Sequence, residues 1–207
     1  MARPREFDEE KVLNAAVLSF WQQGYEATSV RTLARAMGLT SASLYNAFGD
    51  KRQLFQKALD HYVETGFAAR AHRLETELPP REAVVTFFEE MVEISLADPD
   101  RKGCFIVNSA LEVAPHDPEF QRAIEAVMND MEGFFLRCVT AAQAEGTVSD
   151  RQPPEDIARL LLGLLLGLRV LARTRPEPEL LYGALRAVFE ILETAPGRGS
   201  SSRPKAG

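Results

Sequence analysis

Apolar residues return along this chain every three or four positions, the period of a helix with one buried face. In the opening segment Val12, Leu13, Ala16, Phe20 and Trp21 form such a stripe. Asp8 stands before it as an N-cap, Phe7 and Val12 occupy the two positions of a hydrophobic staple, and Gly24 closes the helix. Trp21, the single tryptophan, reads as core. A short second helix is expected from a Thr28/Ser29 cap to about Met37, with Val30, Leu33, Ala34 and Met37 inward. Gly38 then turns the chain, because a tight turn between helices usually needs a left-handed backbone that glycine adopts at least cost. Thr40 caps a third helix that points Leu44 and Phe48 inward and leaves Ser41, Ala42, Ser43, Tyr45 and Asn46 outward. Asp50, with Gln53 at the capping-box position, starts a long helix that runs through the mid-seventies and stops before Pro79-Pro80.

The helical period continues beyond that pair of prolines. Arg81 to Leu96 carries too many apolar positions, Phe87, Phe88, Met91 and Val92 among them, for a surface helix, and is expected inside. Residues 98–103 form a turn, Cys104 to Val113 a short apolar helix stopped by Pro115, and Asp117-Pro118 opens a helix that runs to about Glu145. After a loop from Val148 to Pro154 come two last helices, Glu155 to Arg175 and Glu177 to Thr194. The run LLLGLLLGLRVL is too short to span hydrocarbon and is bracketed by Arg159 and Arg169. Its Gly163-x-x-x-Gly167 spacing points instead to close contact with another helix in water. The tail 196–207 is rich in Gly, Ser and Pro and is expected to be disordered. The fold class predicted is all-α.

Residues 28–62 have the spacing of a helix-turn-helix. The small Ala34 lets the second helix cross closely, Gly38 makes the turn, and Leu44 locks the crossing. The N-terminal segment resembles the DNA-binding domain of the TetR/AcrR family of bacterial transcriptional repressors. The resemblance is carried by the opening helix DEEKVLNAAVLSFWQQGYEATSV, the pair Leu44-Tyr45, then Phe48, Lys51 and Leu54-Phe55. Many members have a histidine where this chain has Ala47, so that contact is not carried over. The resemblance implies a three-helix DNA-binding domain over 1–50, with the helix from Asp50 connecting it to a helical ligand-binding and dimerisation domain over 51–195.

Charge and composition narrow this picture. Hydrophobic content of 45% and charged content of 26% are ordinary for a globular protein. A net charge of −6 is unusual for a DNA-binding protein until the chain is divided. Residues 1–52 carry seven Lys/Arg against six Asp/Glu, so the acid lies elsewhere. Glu6, Asp8, Glu9 and Glu10 gather at the start of the first helix, where its dipole favours them. Arg3, Arg5, Arg31, Lys51 and Arg52 remain for phosphate. A small basic face on an acidic body argues for two copies acting together. No apolar run follows the basic residues of the start, so no signal peptide is read and a cytoplasmic address is expected. Cys104 and Cys138 have no metal-ligand spacing and are expected to be thiols, and neither metal nor cofactor is expected.

Candidate chemistry follows from these elements. A short polar face over Thr40, Ser41, Ala42, Ser43 and Asn46 can lie deep in the major groove of double-stranded operator DNA. By resemblance Tyr45 and Lys51 contact phosphate, Thr28, Ser29 and Arg31 approach the backbone, and the operator is an inverted repeat. Arg3 and Arg5 can enter the adjacent minor groove. For a small-molecule effector the expected lining is Phe87, Phe88, Met91, Cys104, Val107, Asn108, Met128, Phe134 and Phe135, apolar with a few polar anchors. A homodimer interface is expected from Leu160, Gly163, Leu164 and Gly167 of one helix and Leu181, Leu185 and Phe189 of the next. Cys104, at a helix start beside Arg101 and Lys102, is in surroundings that favour thiolate, so a thiol that senses electrophiles or oxidants is the alternative. No spacing brings a cysteine, a histidine and a carboxylate together, and no phosphate-binding glycine loop is present, so the chain does not read as an enzyme. A helical interaction module that has lost DNA binding is the reading from another class.

Overall fold

The computed structural model describes residues 7–193. They form ten α-helices: α1 Glu9–Gln23, α2 Val30–Ala36, α3 Ser41–Phe48, α4 Lys51–Tyr62, α5 Ala69–Glu77, α6 Pro80–Ala97, α7 Phe105–Glu112, α8 Pro118–Ala144, α9 Pro154–Thr174 and α10 Pro178–Leu192. A π-helical segment, Val63–Ala68, joins α4 to α5, and a 3-10 turn, Ala114–His116, follows α7. There is no strand among the described residues, in agreement with the all-α expectation. No helix among them is long and apolar enough to cross a membrane. The expected tail 196–207, Arg3 and Arg5 lie outside the described residues.

Helix ends fall where the side chains can satisfy them. Asp8 accepts from the Lys11 amide, Ser29 from Thr32, Thr40 from Ser43, and Asp50 with Gln53 completes a capping box. Asp117 accepts from the amides of Glu119 and Phe120, with Pro118 at the first helical position. The long helix after Asp50 is continuous through the mid-seventies but not regular, because its middle is π-helical. Within this segment the Thr65 hydroxyl donates to the His61 carbonyl at 2.7 Å, and Gly66 carries no side chain to pack.

Two core clusters divide the molecule. One gathers Ala16 and Phe20 of α1, Leu33 of α2, Leu44 and Phe48 of α3 and Phe55 of α4. It also takes in Phe105 and Ile106 of α7 and Phe120 and Ile124 of α8. The other packs α5, α6, α9 and α10 around the second half of α8, with Phe88 and Phe135 stacked at 5.4 Å. At 27 residues α8 is about 40 Å long and belongs to both.

Candidate nucleic-acid interface and cavity

The turn between α2 and α3 fixes the angle of the reading face. Gly38 has φ +68°, its amide donates to Arg35, and the Leu39 amide reaches back to the Ala34 carbonyl at 2.8 Å. This pair of bonds is a Schellman closure, which needs the left-handed residue that glycine supplies. Leu44 and Phe48 are buried beneath α3, and Ser41, Ala42, Ser43, Tyr45 and Asn46 are all exposed with Thr40 and Ser29 beside them. Thr40 also donates to the Ser43 hydroxyl at 2.9 Å, which orients one of the polar groups on this face.

Four positions of the expected interface need comment. Thr28 is fully buried and its hydroxyl donates to the Gly24 carbonyl at 2.5 Å, so it closes the α1–α2 turn and does not face DNA. Arg52 is not free for phosphate: it bonds both oxygens of Asp117, reaches Glu119 at 2.6 Å and lies over the Phe120 ring. Those acids belong to the start of α8, which sequence spacing could not bring to residue 52. Lys51 is folded back, its ammonium donating to the Glu26 carbonyl at 3.3 Å and standing 4.4 Å from the centre of the Tyr25 ring. Arg31 is exposed as expected.

Between the π segment, α6, α7 and α9 lies a cavity of about 200 Å³. Of the nine residues expected to bind an effector, Phe87, Met91, Cys104 and Val107 line it. The other five predicted residues do not. Phe88, Phe134 and Phe135 are fully buried in the second core cluster. Met128 is half-buried against the first cluster, and Asn108 bonds the Lys102 carbonyl and Arg173. Trp21, read as core, is on the cavity wall with its indole N–H donating to the Lys102 carbonyl at 3.1 Å. The walls missed from sequence are Tyr62, Gly66, Phe67 and Arg70, in and beside the π segment, with Ile94, Ile106, Met131, Leu165, Leu166 and Arg169.

Cys104 is buried and precedes α7, and the Tyr62 hydroxyl donates to its sulfur at 3.9 Å. The cations expected to favour its thiolate are placed otherwise, since Lys102 pairs with Asp98 at 2.5 Å and with Asp100 at 3.3 Å and Arg101 is exposed. Burial, and then the neighbouring Cys104, push the Tyr62 phenol above its ordinary value. At the far end of α7 the Glu112 carboxylate accepts the Glu26 amide at 3.1 Å and sits against Gly24. One short helix therefore touches both the cavity and the reading head.

The expected dimer residues separate into two groups. Leu160, Gly163 and Gly167 are exposed and Leu164 is half-buried. Leu181 and Leu185 are buried in this chain's own core and cannot serve an interface, because α10 turns them onto α6 and α9, while Phe189 is half-buried with its ring 6.3 Å from Phe88. Val170 completes an exposed row on α9 at spacings of three and four, with no atom near a side chain built at either glycine.

Residues 12–58 match the family described as bacterial regulatory proteins, tetR family. Residues 80–188 match the tetracyclin repressor-like C-terminal domain. The chain is 34% identical over 195 residues to the uncharacterized HTH-type transcriptional regulator YezE of Bacillus subtilis (strain 168), covering 93% of this chain and 100% of YezE. It is 28% identical over 173 residues to the HTH-type transcriptional repressor ComR of Escherichia coli (strain K12), covering 83% of this chain and 82% of ComR. Among solved structures, a cysteine mutant of the TetR family regulator CifR complexed with 26-base-pair double-strand operator DNA superposes with a TM-score of 0.78. It shares 31% identity over 94% of this chain and 100% of that one.

Proposed function

The chain belongs to the TetR family of bacterial regulatory proteins, and we propose that it acts in the cytoplasm as a repressor that binds an inverted-repeat operator as a homodimer. A small molecule in the cavity releases it. The observation that carries this reading is the face of α3, whose exposed side chains are small and polar while Leu44 and Phe48 anchor it from beneath. Such a face enters a major groove without steric conflict. Ser41, Ser43 and Asn46 are the candidates for base edges, and Tyr45, Ser29, Arg31 and Lys51 for phosphate. Lys51 must leave the Tyr25 ring to do so, which gives the DNA-bound head a side-chain arrangement different from the one described.

Selection of bound fragments from genomic DNA with the full-length protein tests the reading: recovery of inverted repeats supports it, and binding without salt dependence or sequence preference would reject it. Asn46→Ala is expected to change base preference. Lys51→Ala is expected to weaken binding on every sequence and to lower the salt slope by about 1. Normal binding by the lysine variant at raised salt removes the phosphate assignment.

The exposed row Leu160, Gly163, Gly167 and Val170 is the surface proposed for the second subunit, since small residues let helices approach closely. A second reading of control rests on the Cys104 sulfur, which lines the cavity itself. In that case an electrophile added to the sulfur does the work of a reversible effector. If Cys104→Ser leaves release from DNA by an electrophile unchanged, this second reading fails.

A further inference from the structure

The cavity wall is mostly apolar, yet two arginines, Arg70 and Arg169, are part of it, and they are not equivalent. Arg70 donates to Glu90 at 3.1 Å and so has a carboxylate partner inside the protein, one it shares with Arg73, which also pairs with Glu77. Arg169 is bonded to neutral groups: Nη1 donates to the Ser95 hydroxyl at 2.7 Å and Nη2 to the Gly103 carbonyl. No ion pair of Arg169 is found among the described residues, and no aspartate or glutamate lines the cavity. Two of the donors are used, out of the five that a guanidinium carries. A cation drawn partly out of water without a counter-charge carries a desolvation cost that an anion beside it would relieve.

The neighbouring polar group has the same unfilled capacity. Tyr62, a neutral phenol at pH 7, donates to Cys104, a weak acceptor, at 3.9 Å. Cys104 follows Gly103, whose carbonyl Arg169 holds, so the phenol and the guanidinium stand at one end of the cavity. The rest of the wall sets flat and soft groups, Trp21, Phe67 and Phe87 with the thioethers of Met91 and Met131, among the aliphatic Ile94, Ile106, Val107, Leu165 and Leu166. Aromatic faces and polarizable sulfur suit an unsaturated ring. A volume of about 200 Å³ lies below the roughly 300–1,000 Å³ of pockets for drug-sized ligands.

We infer that the cavity binds a small organic acid, a single aromatic ring bearing one carboxylate that neutralises Arg169 and accepts from Tyr62. The inference rests on the effector reading above, and the two can fail separately.

The test uses the full-length protein at pH 7.5, titrated calorimetrically with benzoate, phenylacetate and cinnamate and with benzamide, phenylacetamide and cinnamamide. Each amide keeps the ring and loses the charge. At least one acid is expected to bind more than about tenfold tighter than its amide, the usual worth of a charge-assisted hydrogen bond. Arg169→Met is expected to abolish that preference and Arg169→Lys to keep part of it, with circular dichroism reporting that each variant folds. The comparison of acid with amide on the unaltered protein stands whether or not the variants fold. Equal binding of acid and amide, binding by none of the three acids, or an acid affinity within twofold of normal in a folded Arg169→Met variant would each overturn the inference. The same six compounds are then added to the complex with the selected operator. An acid that binds through Arg169 and leaves that complex intact sinks the effector reading and keeps the ligand class. Release by an amide as effective as its acid does the reverse.

Discussion

Gly24 ends α1 with φ +84°, and a methyl group built there would stand 2.7 Å from a Glu112 carboxylate oxygen. The stop was legible in the sequence because glycine after an apolar stripe is a local signal. The carboxylate that packs against it was not, since a partner 88 positions away leaves no local trace. Arg52 escaped for the same reason, and Trp21 because a tryptophan on a cavity wall and one in a core have the same neighbours in sequence. Cys138 offers a test at this scale. Burial, then the charge of Glu75, push its thiol up to about 12 from an ordinary 9.0, against a smaller opposing effect of Arg137. The neutral thiol is thus favoured by folding, and its contribution is present below about 9 and lost as pH rises from 9 towards 12. In urea unfolding between those values, stability should fall less steeply in Cys138→Ala than in the unaltered protein, whatever the offset between the two. Equal slopes would show that this thiol does not titrate differently in the two states.

At the scale of the element, the helical period was legible over nearly the whole length, with caps at Asp8, Ser29, Thr40, Asp50 and Asp117 all read correctly. The π segment was not, because its hydrogen bonds reach five residues along the chain instead of four, a change that no residue type in the segment marks. That omission hid the part of the wall made by Gly66 and Phe67, with Tyr62 and Arg70 on either side. Both Phe87 and Phe88 are buried in the second cluster but only Phe87 also lines the cavity, a distinction that composition does not carry. In α9 the two glycines face open space in the single chain. Gly167→Ala should therefore leave the protomer as stable or raise it by up to about 1 kcal/mol, the usual gain of alanine over glycine within a helix. Gly167→Leu should keep the fold, by circular dichroism, and weaken the dimer at least tenfold by sedimentation. A leucine variant that stays dimeric places the interface elsewhere.

Across the whole molecule, a division near residue 50 follows the change of chemistry but not the packing. Phe105, Ile106, Phe120 and Ile124 complete the core beneath the reading head, so the head is held by helices that also serve the cavity. Alpha-helix α7 does both within eight residues, about 12 Å, with Cys104 before its start and Glu112 as its last residue. Its consequence is one of thermodynamic reciprocity. If ligand lowers operator affinity by some factor through this rod, bound operator must lower ligand affinity by the same factor. Glu112→Ala, which frees the α1–α2 turn, should shrink both factors together while leaving ligand affinity without DNA unchanged, as read by calorimetry with and without operator. A factor unchanged in a folded Glu112→Ala variant would show that the contact at the end of α7 is not the path, and the coupling would then run through the helices that share the core beneath the head.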